Sequence, residues 1–272
     1  MTEFTADRAA LLDAMVALAE AGGDIVWRHF CVGCEAMAKA DESPVTAADR
    51  DAEAVILTGL AEAAPNIPVV AEEQAAAGII PDVDGAFFLV DPLDGTREFI
   101  RRGDDFTVNI ALIEHGEPTL GVVYAPARDT LYWGEVGRGA WMAARTPGGP
   151  RGPARTIAVR RCGGDAVAVA SKSHAMPGLD EWLSQAGIAR RVSVGSSLKF
   201  VLVASGEADV YPRTGPTMEW DTAAGDAVLR AAGGRTLDAD GVPFRYGKPA
   251  FRNSGFVATG GYEPRPLRPF MP

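Results

Sequence analysis

The apolar run AFFLV at residues 86–90 stops abruptly at Asp91-Pro92-Leu93-Asp94-Gly95, and no other stretch constrains the fold as much. Asp91 sits where a buried strand runs out, Pro92 keeps the backbone extended, and Gly95 lets the main chain make a tight approach. Thr96-Arg97-Glu98-Phe99 can then open a helix, giving a strand, a short acidic loop and a helix N-terminus. Two like charges three residues apart repel unless something positive lies between them. Asp, Pro and Gly are also the commonest turn residues, so the stretch by itself reads equally as a turn or as a cation site. Exposed amides favour an anion and paired carboxylates a hard cation, so phosphate and Mg²⁺ can meet at such a place.

Apolar residues recur at three- and four-residue steps from Asp7 to about Phe30 (Leu11, Leu12, Met15, Leu18, Ala19), which predicts a long amphipathic helix. Acids (Asp13, Glu20) stand on its other face, where a membrane-lying helix carries Lys and Arg, so its apolar face is read as core. Residues 46–63 predict a second helix, capped by Thr46, with Asp49 in its first turn and an end before Pro65. Apolar runs at 67–71, 86–90, 106–113, 119–125 and 130–136 then read as strands of a largely antiparallel sheet. TPGGPRGPART (146–156) is the richest Pro/Gly stretch and the expected joint. Beyond it, strands at 166–171, 191–194 and 208–212 alternate with helices near 178–186, 197–206 and 222–232, followed by closing strands. The expected division is an α+β half over 1–150 holding most candidate ligands and an α/β half over 151–272 holding Asp221 and the specificity residues. There is no internal repeat and no apolar run of transmembrane length.

A net charge of −10 argues against a long nucleic-acid surface, so a phosphate substrate needs metal ions between it and the acidic chain. Cys31, Cys34 and Cys162 are too few for a disulfide scaffold, and Cys31-Val-Gly-Cys34 lacks the second pair that a closed zinc site requires. The N-terminal residues show no basic start followed by an apolar signal core, which predicts a cytoplasmic protein. His29, His115 and His174 have no spacing for a histidine-built metal site.

Further acids stand at predicted element ends. Glu72-Glu73 follows IPVVA, and Asp221 follows Trp220 at the start of DTAAGDAVLRAAGG. Taken singly, Glu72 is an ordinary loop residue, Asp221 an N-cap, and Asp49 a complement to a helix dipole. Taken together, the hard oxygen ligands at 72, 91, 94 and 221 are what a phosphatase using several Mg²⁺ ions requires.

Glu72-Glu73, Asp91-Pro92-Leu93-Asp94-Gly95-Thr96 and Trp220-Asp221-Thr222-Ala223-Ala224-Gly225 resemble, in order and spacing, the three signatures of the inositol monophosphatase superfamily of Mg²⁺-dependent, lithium-sensitive phosphatases. The resemblance covers essentially the whole chain. Arg97-Glu98-Phe99, FTVNIALIEHG, Gly195-Ser196-Ser197-Leu198-Lys199-Phe200 and Tyr211-Pro212-Arg213 are similar to its CysQ branch, the 3′(2′),5′-bisphosphate nucleotidases.

The resemblance implies a layered αβαβα sandwich with metals at the junction of the halves. It makes Glu72, Asp91, the carbonyl of Leu93, Asp94 and Asp221 ligands of two or three Mg²⁺, with Mn²⁺ able to substitute. Thr96, backed by Asp49 within Pro44-Val45-Thr46-Ala47-Ala48-Asp49, would orient and deprotonate the attacking water, with Glu72 beside them. Leu93, Asp94, Gly95, Thr96 and Asp221 would meet the phosphoryl group, and His174, Ser196, Lys199 and Arg213 the nucleotide and its second phosphate. The implied reaction takes adenosine 3′,5′-bisphosphate to AMP and phosphate, with its sulfated precursor as a second substrate, in sulfur assimilation. The rivals are an inositol or sugar phosphate phosphatase with the same metals, and a non-catalytic phosphate-binding relative. A homodimer is the default for an enzyme of this size, and peripheral attachment at the inner membrane stays open.

Overall fold

The structure is a computed structural model that describes residues 7–33, 36–38, 44–172 and 176–271. Helix α1 (Arg8–Val32) begins at Asp7, whose carboxylate caps the Ala9 and Ala10 amides. A short antiparallel pair, β1 (Ala36–Ala38) and β2 (Pro44–Thr46), leads into α2 (Ala47–Ala63). Thr46 caps α2 as its sequence predicts, and Asp49 completes a capping box.

Seven strands form the first sheet: β3 (Val69–Ala71), β4 (Ala86–Asp94), β5 (Thr107–Glu114), β6 (Glu117–Ala125), β7 (Thr130–Glu135), β8 (Gly139–Ala144) and β9 (Arg155–Ile157). They lie in that order, antiparallel except for the parallel β3–β4 pair. Two short helices sit at strand ends, α3 (Glu72–Ala76) after β3 and α4 (Thr96–Ile100) after β4. The end of the Pro/Gly stretch is thus itself a strand, since Arg155 and Thr156 pair with Met142 and Trp141.

The second sheet is mixed. It contains β10 (Val167–Ser171), β11 (Arg190–Val194), β12 (Val210–Arg213), β14 (Arg235–Asp238) and β16 (Phe256–Thr259), in the order β11-β10-β12-β16-β14. Helix α5 (Leu179–Gln185) lies between β10 and β11, α6 (Leu198–Ala204) between β11 and β12, and α7 (Ala223–Ala231) before β14. A two-residue pair, β13 (Thr217–Met218) with β15 (Arg252–Asn253), flanks the loop that enters α7.

Three apolar clusters show the layering. Leu11, Met15, Val16, Ile56 and Leu60 of α1 and α2 pack on one face of the first sheet through Phe88, Val90, Ile110 and Val122. The other face, with Leu89, Ala111 and Val123, shares a core with Leu198, Phe200, Val201, Ala224 and Val228 of α6 and α7 and with Tyr211, Phe256 and Ala258 of the second sheet. Leu179, Trp182 and Leu183 of α5 cover the outer face of that sheet. The order helix, sheet, helix, sheet, helix matches the αβαβα expectation. The apolar stripe of α1 is buried in this core, and no described helix is long and apolar enough to cross a membrane. Cys31 is exposed at the end of α1, while Cys34 lies outside the described residues.

Helix α7 sits directly on the first sheet because glycine lines its seat. A Cβ on Gly121 would lie 2.4 Å from the Ala224 carbonyl oxygen, and one on Gly134 would lie 2.7 Å from Ala231 Cβ. Gly225 gives Phe200 of α6 the same close approach.

Candidate active site

One cavity of about 670 Å³ opens where the ends of β3 and β4 face the entries to α6 and α7. Glu72, Asp91, Leu93, Asp94, Gly95, Thr96, Ser196, Lys199, Arg213 and Asp221 all line it, although they span 150 residues of chain, from 72 to 221. Glu72 is the first residue of α3, Asp91, Leu93 and Asp94 close β4, and Gly95 turns the chain at φ 94° before Thr96 opens α4. His174 lies outside the described residues.

The DPLDG loop is held from within: Asp91 Oδ1 accepts the Leu93 amide at 3.0 Å. Asp94 Oδ2 accepts the Ser197 amide at 2.6 Å and the Asn109 side chain at 3.3 Å. Ser197 Oγ donates to the Asp221 carbonyl at 2.8 Å, so one serine ties Asp94 of the first sheet to the loop that carries Asp221. Asp221 is not the N-cap that its sequence context suggests. Thr222 takes that position, and Asp221 Oδ2 accepts the Met218 amide at 2.9 Å.

The electrostatics are those of crowded, buried acids whose mutual repulsion outweighs the pull of the nearby cations. Burial pushes the Asp91 carboxyl well above its ordinary range, and the charges of Glu72, Asp94 and Asp221 push it further. Asp221 is raised in the same way, by burial and then by Asp94 and Glu72. Burial raises Asp94 to about 6, although Lys199 and the Ser197 hydrogen bonds pull it down. Among the described residues no three His, Cys, Asp or Glu side chains already close on one point as a finished cage. The donor chemistry nevertheless fits hard divalent cations: four carboxylates and Leu93, whose carbonyl is a further oxygen, line one cavity in which Asp91 and Asp221 are raised by their acidic neighbours.

Asp49 lies behind the loop, 1% exposed, and its two oxygens do different work. Oδ2 accepts the Thr46 amide and the Thr46 hydroxyl, both at 2.7 Å, which is the helix-capping role. Oδ1 accepts the Thr96 hydroxyl at 3.2 Å, and that hydroxyl also lies 3.1 Å from the Leu93 carbonyl oxygen. The dipole reading of Asp49 and the Thr96-backing reading therefore describe opposite edges of one carboxylate.

Two buried cations face the acids. Lys199 (5% exposed) donates to the carbonyls of Ser196 and, at 3.4 Å, Val194, and its ammonium lies 5.4 Å from the centre of the Tyr211 ring. Burial lowers its pKa to about 8. Arg213 (7% exposed) donates to the carbonyls of Gly215 at 3.3 Å and Pro216 at 3.2 Å. Ser196 sits at φ 47°, rare for a residue with a side chain, and its buried Oγ has no hydrogen-bond partner among the described residues.

Several supporting residues escaped the sequence reading. Glu53, buried on α2, accepts the Glu73 and Gln74 amides at 2.8 and 3.0 Å and so anchors α3 and Glu72. Burial raises Glu53 to about 7. An acid one turn after Asp49, among the core positions Ala52 and Ile56, was its signal. Asn109, the polar residue inside FTVNIALI, was equally legible. Glu219, next to Trp220-Asp221 and fully buried, accepts the amides of Gly247 at 2.7 Å and Lys248 at 2.9 Å. Asp105, in the loop before β5, gave no signal.

Comparison with known proteins agrees with this architecture. Residues 7–263 match the inositol monophosphatase family. The chain belongs to that family. The 3′(2′),5′-bisphosphate nucleotidase CysQ of Escherichia coli (strain K12) is 45% identical over 249 residues, covering 90% of this chain and 98% of that protein. The crystal structure of CysQ from Bacteroides thetaiotaomicron superposes with a TM-score of 0.77 at 34% identity, covering 93% of this chain and 98% of that one. The IMPase of Thermotoga maritima superposes at 0.74 with 26% identity, covering 92% of each chain. Inositol monophosphatase family membership thus rests on both sequence and fold.

Proposed function

We propose that this chain is a cytoplasmic, Mg²⁺-dependent 3′(2′),5′-bisphosphate nucleotidase that takes adenosine 3′,5′-bisphosphate to AMP and phosphate. Its sulfated precursor is the second substrate, which gives the enzyme a place in sulfur assimilation. The observation that carries this reading is the juxtaposition, in one cavity, of four acids with two buried cations. The acids suit metals at the phosphoryl group being cleaved. Lys199 and Arg213 suit a second phosphate that stays on the product. Relatives named as CysQ nucleotidases, matched over nine-tenths of the chain, support the same choice over an inositol or sugar phosphatase.

Glu72, Asp91, the Leu93 carbonyl, Asp94 and Asp221 would hold the divalent cations, with Glu72 fixed through Glu53 and α3. When bound, the cations supply Lewis acidity and offset the charge that gathers on the leaving oxygen. The chain's own residues supply position and a proton path. Thr96 Oγ1 accepts a hydrogen from the attacking water and passes its own proton to Asp49, which Thr46 holds in place. A threonine hydroxyl alone is a poor base, so the carboxylate behind it is essential. The water oxygen bonds to phosphorus as the bond from phosphorus to the ribose 3′ oxygen breaks. The departing oxygen takes a proton from solvent, while the Gly95 and Thr96 amides steady the phosphoryl oxygens.

The test is a panel of nucleotide bisphosphates, nucleoside monophosphates, inositol phosphates and sugar phosphates ranked by kcat/KM, with Mg²⁺ and with chelator. The bisphosphate nucleotide is expected first, and only with metal. An inositol or sugar phosphate in first place would overturn the reading, and so would release of no phosphate from any of them.

A further inference from the structure

Asp105 is a buried carboxylate that lies outside the cavity wall yet touches both of its critical loops. It is 1% exposed and stands in the loop between α4 and β5. Its Oδ2 accepts the Gly195 amide at 3.0 Å and faces the Lys172 ammonium at 3.4 Å, while Oδ1 is paired with Arg128. Three elements meet there: Arg128 follows β6, Lys172 follows β10, and Gly195 opens the turn into α6. Burial alone would raise this carboxyl, but the Gly195 hydrogen bond and the two cations hold it below its ordinary range.

The main chain of Asp105 is wedged as tightly as its side chain. A Cβ on Gly95, in the metal loop, would lie 2.6 Å from the Asp105 carbonyl oxygen. A Cβ on Gly195 would lie 2.9 Å from that same oxygen and 2.7 Å from Asp105 Cβ. One residue thus spaces the DPLDG loop from the Gly195-Ser196 turn, and only glycine on each side permits it.

What Asp105 holds matters because the next residue is strained. Ser196 keeps a left-handed backbone at φ 47°, a strained conformation that a residue with a side chain holds only where its surroundings enforce it. Asp105 pins the amide before it, and Lys199 pins its carbonyl. This leaves the buried Ser196 Oγ, without a partner among the described residues, and Lys199 at the cavity wall.

We infer that Asp105 is a positioning residue for the second phosphate of the substrate: it fixes the Gly195-Ser196 turn, and through it Ser196 and Lys199, at a set distance from the metal loop. This inference rests on the nucleotidase reading above. Its consequence is graded: Ser196 and Lys199 hang directly on the turn, whereas Asp94, which the turn reaches through the Ser197 amide, is also held by Asn109 and by the strand that carries it.

The experiment uses the full chain and Asp105→Asn, which keeps volume and removes the charge that pairs with Arg128 and Lys172. KM for adenosine 3′,5′-bisphosphate is expected to rise about tenfold or more, given how steeply small misplacements act on positioned groups. For adenosine 3′-monophosphate, which lacks the second phosphate, kcat/KM should stay within about twofold, as should Mn²⁺ affinity by calorimetry. Binding of AMP, which keeps that phosphate, should weaken in parallel with the rise in KM. Equal losses on both substrates, or no loss on either, would overturn the inference and leave the nucleotidase reading intact. A wild-type enzyme with no preference for the bisphosphate would overturn both. Should Asp105→Asn fail to fold, Lys172→Met decides, since Lys172 is largely exposed. A smaller shift in the same substrate ratio is then expected, and an unchanged ratio refutes the inference.

Discussion

Replacing Asp49 by Asn separates its two roles, because the side chain keeps its shape but loses one acceptor edge. Among the described residues, the edge facing Thr46 accepts two donors at 2.7 Å, and the edge facing Thr96 accepts the Thr96 hydroxyl at 3.2 Å. The amide of Asn is therefore expected to turn its oxygen toward Thr46 and its NH₂ toward Thr96. The cap then survives, so the stability loss should be at most about 1 kcal/mol, the typical worth of a whole cap interaction. For a 272-residue chain that is a drop in Tm of roughly 2–4 °C. The proton path does not survive, since NH₂ cannot accept a proton from Thr96. Loss of a positioned base lowers kcat by about 10²–10⁴-fold, equivalent to roughly 2.7–5.5 kcal/mol of barrier. Thr96→Ala cuts the same path, so the double variant should be barely slower than either single one. Steady-state kcat and thermal melts of the three variants decide the matter. A kcat within threefold of wild type in a folded Asp49→Asn protein, or fully additive losses, would refute the relay.

The remaining expectations concern charge. Lys199→Met and Arg213→Met each remove a buried cation and should lower kcat/KM for the bisphosphate by about 10–100-fold, the worth of one or two charged hydrogen bonds, with far less effect on a simple monophosphate. Equal losses on the two substrates would favour the inositol or sugar phosphatase alternative. In chelator, Glu53 (about 7) and Asp94 (about 6) both titrate above their unfolded values near 4, so their contribution to stability is complete below about 4 and is lost as pH rises through 6 and 7. Urea unfolding of metal-free protein should therefore show falling stability from pH 5 to pH 8, with Mg²⁺ restoring much of it at the upper end, and a flat or rising profile would contradict the assignment. Asp91→Asn removes one of four mutually repelling acids. The chelated variant is expected to melt a few degrees above wild type while Mn²⁺ affinity, followed by calorimetry, drops at least about 100-fold. A lower Tm with unchanged metal binding would show that the acids do not form a cation site.

What the sequence made legible was whatever a local pattern controls. Helical spacing placed α1 and α2 within two residues of their observed ends, and largely apolar runs marked β4, β5 and β6. The acids of the cavity were legible because each ends a recognisable element. Strand β8 was not, since GAWMAA is too rich in Ala and Gly to read as a strand, and only pairing with β7 and β9 makes it one. Strand β9 was hidden inside a Pro/Gly stretch for the same reason. Asp221 looked like a cap because local rules cannot see the Met218 amide that claims its carboxylate. Asp105 gave no signal, and Ser197 stood in a recognised motif without a role, for a different reason: their partners lie 90 and 103 residues away, and nothing in the local chain encodes such a meeting.

The glycine-lined seat of α7 links the deepest part of the molecule to its chemistry. Asp221 stands two residues before a helix that rests on the strands below with no methyl group to spare, so any substitution that lifts the helix also shifts the fourth carboxylate. If the four acids hold a divalent ion as proposed, its affinity is expected to gauge how well the middle layer is assembled, and a metal titration of a Gly121 variant would read it.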